Sequence, residues 1–217
     1  MMRLLRPFLA TLALLFALSS HSQALTLTIR DAANGDPVPH AVVSLPASGP
    51  APPLASPAVM AQENRTFEPH LLVIPAGSMV EFPNHDNTQH HVYSFSPAKT
   101  FNIELYAKRP EAPVTFDTAG VVELGCNIHD NMQAFIYVTD AAQTVTTGPD
   151  GVARIEPSTA APVTVKVWHE RLRDNSQPVT LTIPASEGEP RAISLDLTPK
   201  KVEADPFADL QRRFDNL

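Results

Sequence analysis

One short segment of the chain holds the side chains best suited to binding a metal ion. It contains Cys126, His129 and Met132, so a thiolate, an imidazole and a thioether recur at three-residue intervals. Two imidazoles, one thiolate and one distant thioether are the donor set of the trigonal copper sites that transfer electrons. The segment supplies three of these four donors, and a histidine from elsewhere must supply the fourth. His90 and its neighbour His91 are the candidates.

The donor types favour copper over the other common metals. Zinc prefers four strong ligands in a tetrahedron, which a thioether does not provide. An iron–sulfur cluster usually needs more thiolates than a chain with a single cysteine can offer. Cys126 cannot form an internal disulfide either, and the simple alternative is a buried, inert thiol. The histidine and methionine at ligand spacing make the metal site the better interpretation.

The elements that must position these side chains are predicted to be strands. The composition is typical of a β protein, with 22 prolines and short runs rich in Val, Ile, Thr and Phe between turn residues. A polar loop at residues 84–89 precedes the histidine pair, and the strand at residues 121–124 leads directly to Cys126. The spacing predicts an all-β sandwich, with strands around the site at residues 70–74, 79–82, 92–95, 114–117, 121–124 and 134–138.

The remaining segments give the predicted domain organisation. The site domain spans residues 25–140, with early strands at 25–29 and 41–45 and a Pro/Ala-rich loop or insertion at 46–62. A small β module follows at residues 141–200, near the practical minimum size for independent stability, and we expect it to pack on the site domain. Residues 201–217 form the tail, which is predicted to be a short amphipathic helix with its apolar face at Phe207, Leu210, Phe214 and Leu217.

The N-terminus predicts export. Residues 1–24 combine Arg3 and Arg6, a short apolar run and small residues before a cleavage point, as in a secretory signal peptide. An uncleaved anchor helix is the alternative, although the apolar run is short for a membrane span. Cleavage would change the formal charge from −7 to −9, which argues against a nucleic-acid partner. We expect a periplasmic protein without a membrane span after cleavage.

The site segment and its surroundings resemble the cupredoxins, in particular the plastocyanin and amicyanin branch. The resemblance covers about residues 67–138, and residues 126–132 carry its most specific part, with the spacing of the amicyanin loop. Residues 90–96 and 125–130 also resemble the cupredoxin-like proteins labelled methylamine utilization proteins. The other matching positions are Val73, Gly77, Val80, Phe82, Asn84, Phe116 and Gly120. The resemblance implies a cupredoxin Greek-key β-sandwich, with copper held by His90, Cys126, His129 and Met132.

Two positions depart from the family pattern. His91 stands where the family usually has an asparagine that ties the two ligand loops together, so His91 either takes over that task or is itself the ligand. Strand parity does not decide between His90 and His91 as the ligand. The face of His91, with Tyr93 and Phe95, looks more core-like than the face of His90, whereas the alignment of the motif favours His90. The second departure is the pair at residues 121–122, where many members carry an aromatic residue. Of the other tempting positions, the neighbours at residues 85–86 are interpreted as a solvated loop pair, with tuning of the site or contact with a partner as the alternative. The only tryptophan is interpreted as a core residue.

The resemblance implies a one-electron carrier that cycles between Cu(II) and Cu(I). Its partner would be a redox protein such as a periplasmic dehydrogenase or a c-type cytochrome. A module that binds and delivers copper is the main alternative. An enzyme of oxidase or nitrite-reductase type would need further histidines for a second copper site, and the scattered His40, His70 and His169 form no such set. An adhesive or sensory β protein with a vestigial site is disfavoured by the intact ligand set.

Overall fold

The structure is a computed structural model that describes residues 24–46, 50–141, 143–156, 162–184 and 190–200 of the 217. Every regular element in these ranges is a β-strand, so the predicted all-β class is confirmed for the described residues. The predicted helix at residues 201–217 and nearly all of the predicted signal peptide lie outside them. None of the described residues forms a helix long and apolar enough to cross a membrane.

A five-stranded sheet carries the site segment and consists of β6 (Leu71–Pro75), β8 (His90–Ser96), β9 (Lys99–Tyr106), β11 (Gly120–Cys126) and β12 (Gln133–Thr139). Its strand order is β6-β12-β11-β8-β9. Strand β12 runs parallel to β6, and the other neighbours are antiparallel. A second sheet has the order β10-β7-β3 and consists of β3 (Ala58–Val59), β7 (Ser78–Glu81) and β10 (Val114–Phe116). β4 (Ala61–Glu63) and β5 (Thr66–Glu68) form a separate antiparallel hairpin.

The strands at the beginning of the chain pair with strands near its end. β1 (Leu25–Asp31) lies between β14 (Val152–Ile155) and β17 (Arg191–Leu195). β2 (Val42–Leu45) lies between β13 (Gln143–Thr146) and β15 (Val163–Trp168). On its other side, β15 pairs with β16 (Val179–Ile183). Strand pairing thus associates residues 25–45 with the segment after residue 141, although the sequence analysis placed them in the site domain. The domain boundaries themselves stay a prediction.

Strand β12 lies between two hydrophobic cores. Alternate residues of a strand point to opposite faces, and β12 is apolar on both. Phe135 and Tyr137 belong to a core shared with β1, β2 and the C-terminal strands. Ala134, Ile136 and Val138 belong to a second core that also contains the cysteine and methionine of the site segment. The sheet that carries the site is therefore fixed from both sides.

Trp168 joins the C-terminal segment to this sheet. Its ring centroid lies 5.3 Å from that of Phe135 and 5.9 Å from that of Tyr137. The side chain is buried, and its indole N–H donates a hydrogen bond to the Asn175 carbonyl at 2.7 Å. The prediction that the only tryptophan is a core residue is confirmed, and its contacts agree with the expected packing of the C-terminal segment on the site-bearing sheet.

A largely buried ion pair adds a second link between the chain ends. Arg171 donates to the Asp31 carboxylate at 2.8 Å, with side-chain exposures of 17% and 7%. The Ala33 amide and the Arg171 guanidinium hold the pKa of Asp31 below its ordinary value.

Two segments differ from the sequence-based prediction. The Pro/Ala-rich segment at 46–62, interpreted as a loop or insertion, contains β3 and most of β4, and its Met60 and Gln62 are fully buried. β9 was not predicted; it is an edge strand whose Phe101 and Ile103 pack against the second core, whereas Thr100, Asn102 and Glu104 on the other face are exposed.

Candidate metal centre

Three of the predicted ligands meet where two neighbouring strands end. His90 begins β8 and Cys126 ends β11, and these strands pair with Cys126 opposite Val92. The Cys126 Sγ lies 3.7 Å from His90 Nδ1 and 3.6 Å from Nδ1 of His129, which lies in the turn after β11. The three donor atoms all lie within 4.8 Å of one another. Across the described ranges, this is the one cluster of three or more His, Cys, Asp or Glu side chains with that proximity.

The turn between β11 and β12 is closed by its own backbone. The Cys126 amide donates to the Met132 carbonyl at 3.2 Å, and the Met132 amide donates to the His129 carbonyl at 2.9 Å. The His129 amide donates back to the Cys126 carbonyl at 3.3 Å. The backbone of the three loop residues is thus held in place by hydrogen bonds between those residues.

Three of the four predicted ligands are buried, and the fourth is half-buried. His90 is 0% exposed, Cys126 5% and Met132 2%, whereas His129 is half-buried. Cys126 and Met132 belong to the same hydrophobic core, so the thioether lies on the protein side of the cluster. Ile128, 45% exposed, lies beside His129 on the open side. Of the four predicted ligands, His129 is the one that is not buried.

The structure distinguishes the two adjacent histidines. His90, Val92 and Ser94 point into the core and are buried, whereas Phe95 on the other face is 80% exposed. The expectation that the face of His91, Tyr93 and Phe95 is the more core-like one is wrong. His91 Nε2 lies 2.5 Å from Asn102 Oδ1 on β9 and does not reach the ligand loop. His90 is the histidine that joins the cluster.

Gly125 leaves room for the Tyr93 ring on the outer face of the sheet. Gly125 pairs with Tyr93 across β8 and β11, and a Cβ at Gly125 would lie 2.8 Å from the Tyr93 ring. The ring also packs against Phe95 at a centroid distance of 5.2 Å. An open depression of about 710 Å³ lies along this outer face and reaches the loop of Cys126.

Asp86 contacts the far side of the His90 ring. Its Oδ2 lies 2.8 Å from His90 Nε2 and accepts a bond from the Arg65 amide at 2.9 Å, while its Oδ1 accepts from the Asn64 amide at 2.7 Å. Burial would raise the pKa of Asp86, but the bonds from Arg65, His90 and Asn64 lower it overall. The interpretation of residues 85–86 as a solvated pair is wrong for Asp86, whose side chain is 14% exposed, whereas His85 is exposed.

Asn84 shapes the loop that presents Asp86. Its side-chain amide donates to the carbonyls of Thr88 and Tyr106, at 2.8 Å and 3.2 Å, and its Oδ1 accepts from the Asp86 amide at 2.9 Å. The polar run before the histidine pair is a signal for this role, but the contacts that hold Asp86 come from a hairpin about twenty residues earlier.

The donor set fits a soft transition-metal ion. Two imidazole nitrogens face one thiolate sulfur, and a thioether side chain from the same loop is buried in the core beside it. Such a combination suits copper in both oxidation states better than it suits zinc or magnesium. The arrangement of two histidines, one cysteine and a nearby methionine is typical of a type 1 copper site.

No protein-family model matches the chain, and no curated protein matches it. Among solved structures, the chain is similar to a reduced variant of amicyanin, with 17% identity and a TM-score of 0.36 over 45% of this chain and 98% of that one. It is similar to a purple cupredoxin from Nitrosopumilus maritimus, with 21% identity and a TM-score of 0.34 over 39% and 99%. A Cu-containing nitrite reductase from Thermus scotoductus SA-01 matches with 23% identity and a TM-score of 0.36 over 41% of this chain and 25% of that one. At these values the likeness identifies no function, and the geometry of the cluster alone carries the functional interpretation.

Proposed function

We propose that this protein is a copper-binding one-electron carrier whose ligands are His90, Cys126, His129 and Met132. The observation that carries the proposal is the convergence of two histidine Nδ1 atoms on the Cys126 sulfur, at 3.7 Å and 3.6 Å. Copper in such a site would accept and release one electron. The protein would contribute the thiolate, the two imidazoles and a buried thioether in fixed positions.

The surroundings suit a centre that keeps its geometry when its charge changes. His90 is held by a strand and by Asp86, and the residues of the Cys126 loop are held by their mutual backbone bonds. Little rearrangement is then needed between the oxidised and reduced states, which is the physical requirement for rapid electron transfer. The half-buried ring of His129 would provide a way out to the surface.

The fold and the partner belong to the same proposal. The five-stranded sheet and the β10-β7-β3 sheet around the shared core would correspond to the two layers of a cupredoxin Greek-key sandwich. The protein would act in the periplasm after removal of residues 1–24, and a periplasmic dehydrogenase or a c-type cytochrome would bind at the surface around His129 and Ile128. The periplasmic location and the cleavage are supported by the sequence pattern of residues 1–24, and the kind of partner by the resemblance to cupredoxins.

The second candidate function is copper binding and delivery without electron transfer. The half-buried His129 favours it, since an ion could leave past that ring. The burial of the other three ligands opposes it. The proposal does not include catalysis, because oxidase or nitrite-reductase chemistry would require a further set of ligands.

Loading the protein with Cu(II) tests the proposal directly. We expect an intense thiolate-to-copper band in the visible spectrum and a narrow copper hyperfine splitting in the EPR spectrum, both lost in Cys126→Ser. His90→Gln should abolish the band, whereas the matched neighbour His91→Gln should retain it, since His91 bonds Asn102 outside the cluster. A colourless protein that binds copper equally well with and without Cys126 would contradict the proposal and favour the delivery function.

A further inference from the structure

Asp86 lies in a pocket made of hydrogen-bond donors. The amides of Asn64 and Arg65 donate to its two carboxylate oxygens at 2.7 Å and 2.9 Å, and both amides are donors whatever the pH. The third neighbour is His90 Nε2, at 2.8 Å from Oδ2. An ionised carboxylate can only accept hydrogen bonds, so the contact is complementary when Nε2 carries the proton.

This requirement determines which nitrogen of His90 is free to bind a metal. If Nε2 carries the proton in the neutral ring, Nδ1 has a lone pair, and Nδ1 is the atom 3.7 Å from the Cys126 sulfur. The other tautomer would direct an N–H from Nδ1 towards the cluster. The carboxylate on one side of the ring thus prepares the opposite side as a ligand.

The support for Asp86 comes from a distant part of the chain. Asn64 and Arg65 are the two central residues of the β4–β5 hairpin, with φ of 54° and 58°. Both residues adopt the left-handed conformation of a type I′ turn, which is unusual for residues other than glycine. This conformation directs two successive amides at one carboxylate. The hairpin is held in turn by Gln62, whose backbone amide donates to the Pro83 carbonyl at 2.8 Å.

We propose that Asp86 is a positioning residue of the metal centre: held by the Asn64–Arg65 turn, it keeps Nε2 of His90 protonated and favours Cu(II) over Cu(I). The copper preference rests on the proposed function, whereas the pairing with His90 does not. A carboxylate bonded to the far nitrogen makes the imidazole a stronger donor, and its negative charge stabilises the more highly charged ion. A neutral residue at position 86 would lose both effects.

The substitution Asp86→Asn tests the copper preference. The amide keeps the size of the carboxylate but adds two donor hydrogens, so it can satisfy at most two of the three neighbouring donors. Loss of such a bond to a metal-binding histidine typically lowers metal affinity by 10- to 100-fold. We expect a loss in this range for Cu(II), a smaller loss for Cu(I) and a more positive reduction potential. Each tenfold difference between the two affinities corresponds to about 59 mV for a one-electron couple.

Asp130→Asn is the matched control. Asp130 lies next to His129, and its substitution removes the same formal charge as Asp86→Asn. Asp130 is exposed, however, and has no hydrogen bond to a ligand ring among the described contacts. Exposed charges are strongly screened, so we expect less than a threefold change in the affinity ratio. Equal shifts in the two variants would overturn the proposed role of Asp86, since charge alone would then explain the effect.

The copper-free protein provides a test that does not depend on copper chemistry. Nitrogen NMR of labelled histidines, at a fixed pH above the ordinary pKa of histidine, distinguishes the two ring tautomers. We expect His90 to carry its proton on Nε2 in the unsubstituted protein, and to populate both tautomers in Asp86→Asn. A proton on Nδ1 in the unsubstituted protein would overturn the inference, even if Asp86→Asn fails to fold.

The two tests separate the inference from the proposed function. An Nε2 proton that depends on Asp86, in a protein without the thiolate-to-copper band, would refute the electron carrier and support the pairing. A normal band with a potential that does not respond to Asp86→Asn would refute the inference and support the carrier.

Discussion

Two adjacent valines of β11 test whether the site-bearing sheet lies between two cores. Val121 is 4% exposed and belongs to the core of Trp168, whereas Val122 is 0% exposed and belongs to the core of Cys126. Each valine-to-alanine change removes two buried methyl groups, worth about 0.8 kcal/mol each, and leaves a small cavity. We expect each substitution to lower the free energy of unfolding by about 2 kcal/mol. For a chain of this size this corresponds to a fall in Tm of about 4–8 °C.

Denaturant unfolding of the copper-free protein measures both effects. The fluorescence of Trp168, the only tryptophan, reports one core, and far-UV circular dichroism reports all strands. Since β12 contributes residues to both cores, both probes should show the same transition in both variants. Val179→Ala is the control: Val179 is 39% exposed, and its loss should change the stability by less than about 0.5 kcal/mol.

The copper-loaded forms should differ although the stabilities do not. A cavity at Val122 lies in the core of Cys126 and Met132, so we expect a shift of the thiolate-to-copper band in Val122→Ala and an unchanged band in Val121→Ala. The two-core interpretation would be refuted if Val121→Ala were as neutral as the control, or if the two probes unfolded at separate denaturant concentrations.

Three further substitutions have expected outcomes of their own. Arg171→Met leaves the Asp31 carboxylate without its charged partner and should cost about 3 kcal/mol at pH 7 in denaturant unfolding. Because the pKa of Asp31 is depressed, the ion-pair part of this loss should disappear as the pH falls below that depressed value, whereas the part due to the lost Arg171 bond to the Thr198 carbonyl should remain. His70→Gln removes an exposed pair with Glu170, which raises the pKa of His70 and lowers that of Glu170. We expect the ion pair to add about 0.5 kcal/mol to the loss near pH 5.5, where both groups are charged, and nothing once the pH rises through the raised pKa of His70. Unfolding curves at both pH values measure this difference, and the lost ring contact with Phe135 contributes equally at both. Met132→Leu conserves the buried volume and should cost less than about 1.5 kcal/mol, but loss of the thioether should make the copper potential more positive by voltammetry.

The ligand loop was predictable because its information is local. Cys126, His129 and Met132 lie within seven residues, and a short turn between two strands must bring them close together. The choice between His90 and His91 was not local. The face of β8 that carries Tyr93 and Phe95 is the outer one, where Gly125 leaves room for the Tyr93 ring and Phe95 is exposed to solvent. Nothing in the sequence near residue 90 identifies which face of the sheet the core covers.

The support of the site was not predictable for a similar reason. Asn64 and Arg65 adopt positive φ without the glycine that usually marks a type I′ turn, so the β4–β5 hairpin has no clear sequence signal. Its contact with Asp86 spans about twenty residues and depends on how the segment before it folds back. The pairing of β1 with β14 and β17 likewise depends on contacts far apart along the chain, for which alternating hydrophobicity gives a strand but no neighbour.

The choice between carrying electrons and delivering copper depends on what must move. A delivery protein has to release its ion to a recipient, so its ligands need access and freedom to detach. Here His90, Cys126 and Met132 are nearly inaccessible, and His90 is held from behind by a carboxylate that two backbone amides fix in place. Delivery would require these buried side chains to let the ion go, whereas in the proposed carrier an electron would leave while every ligand stays where it is.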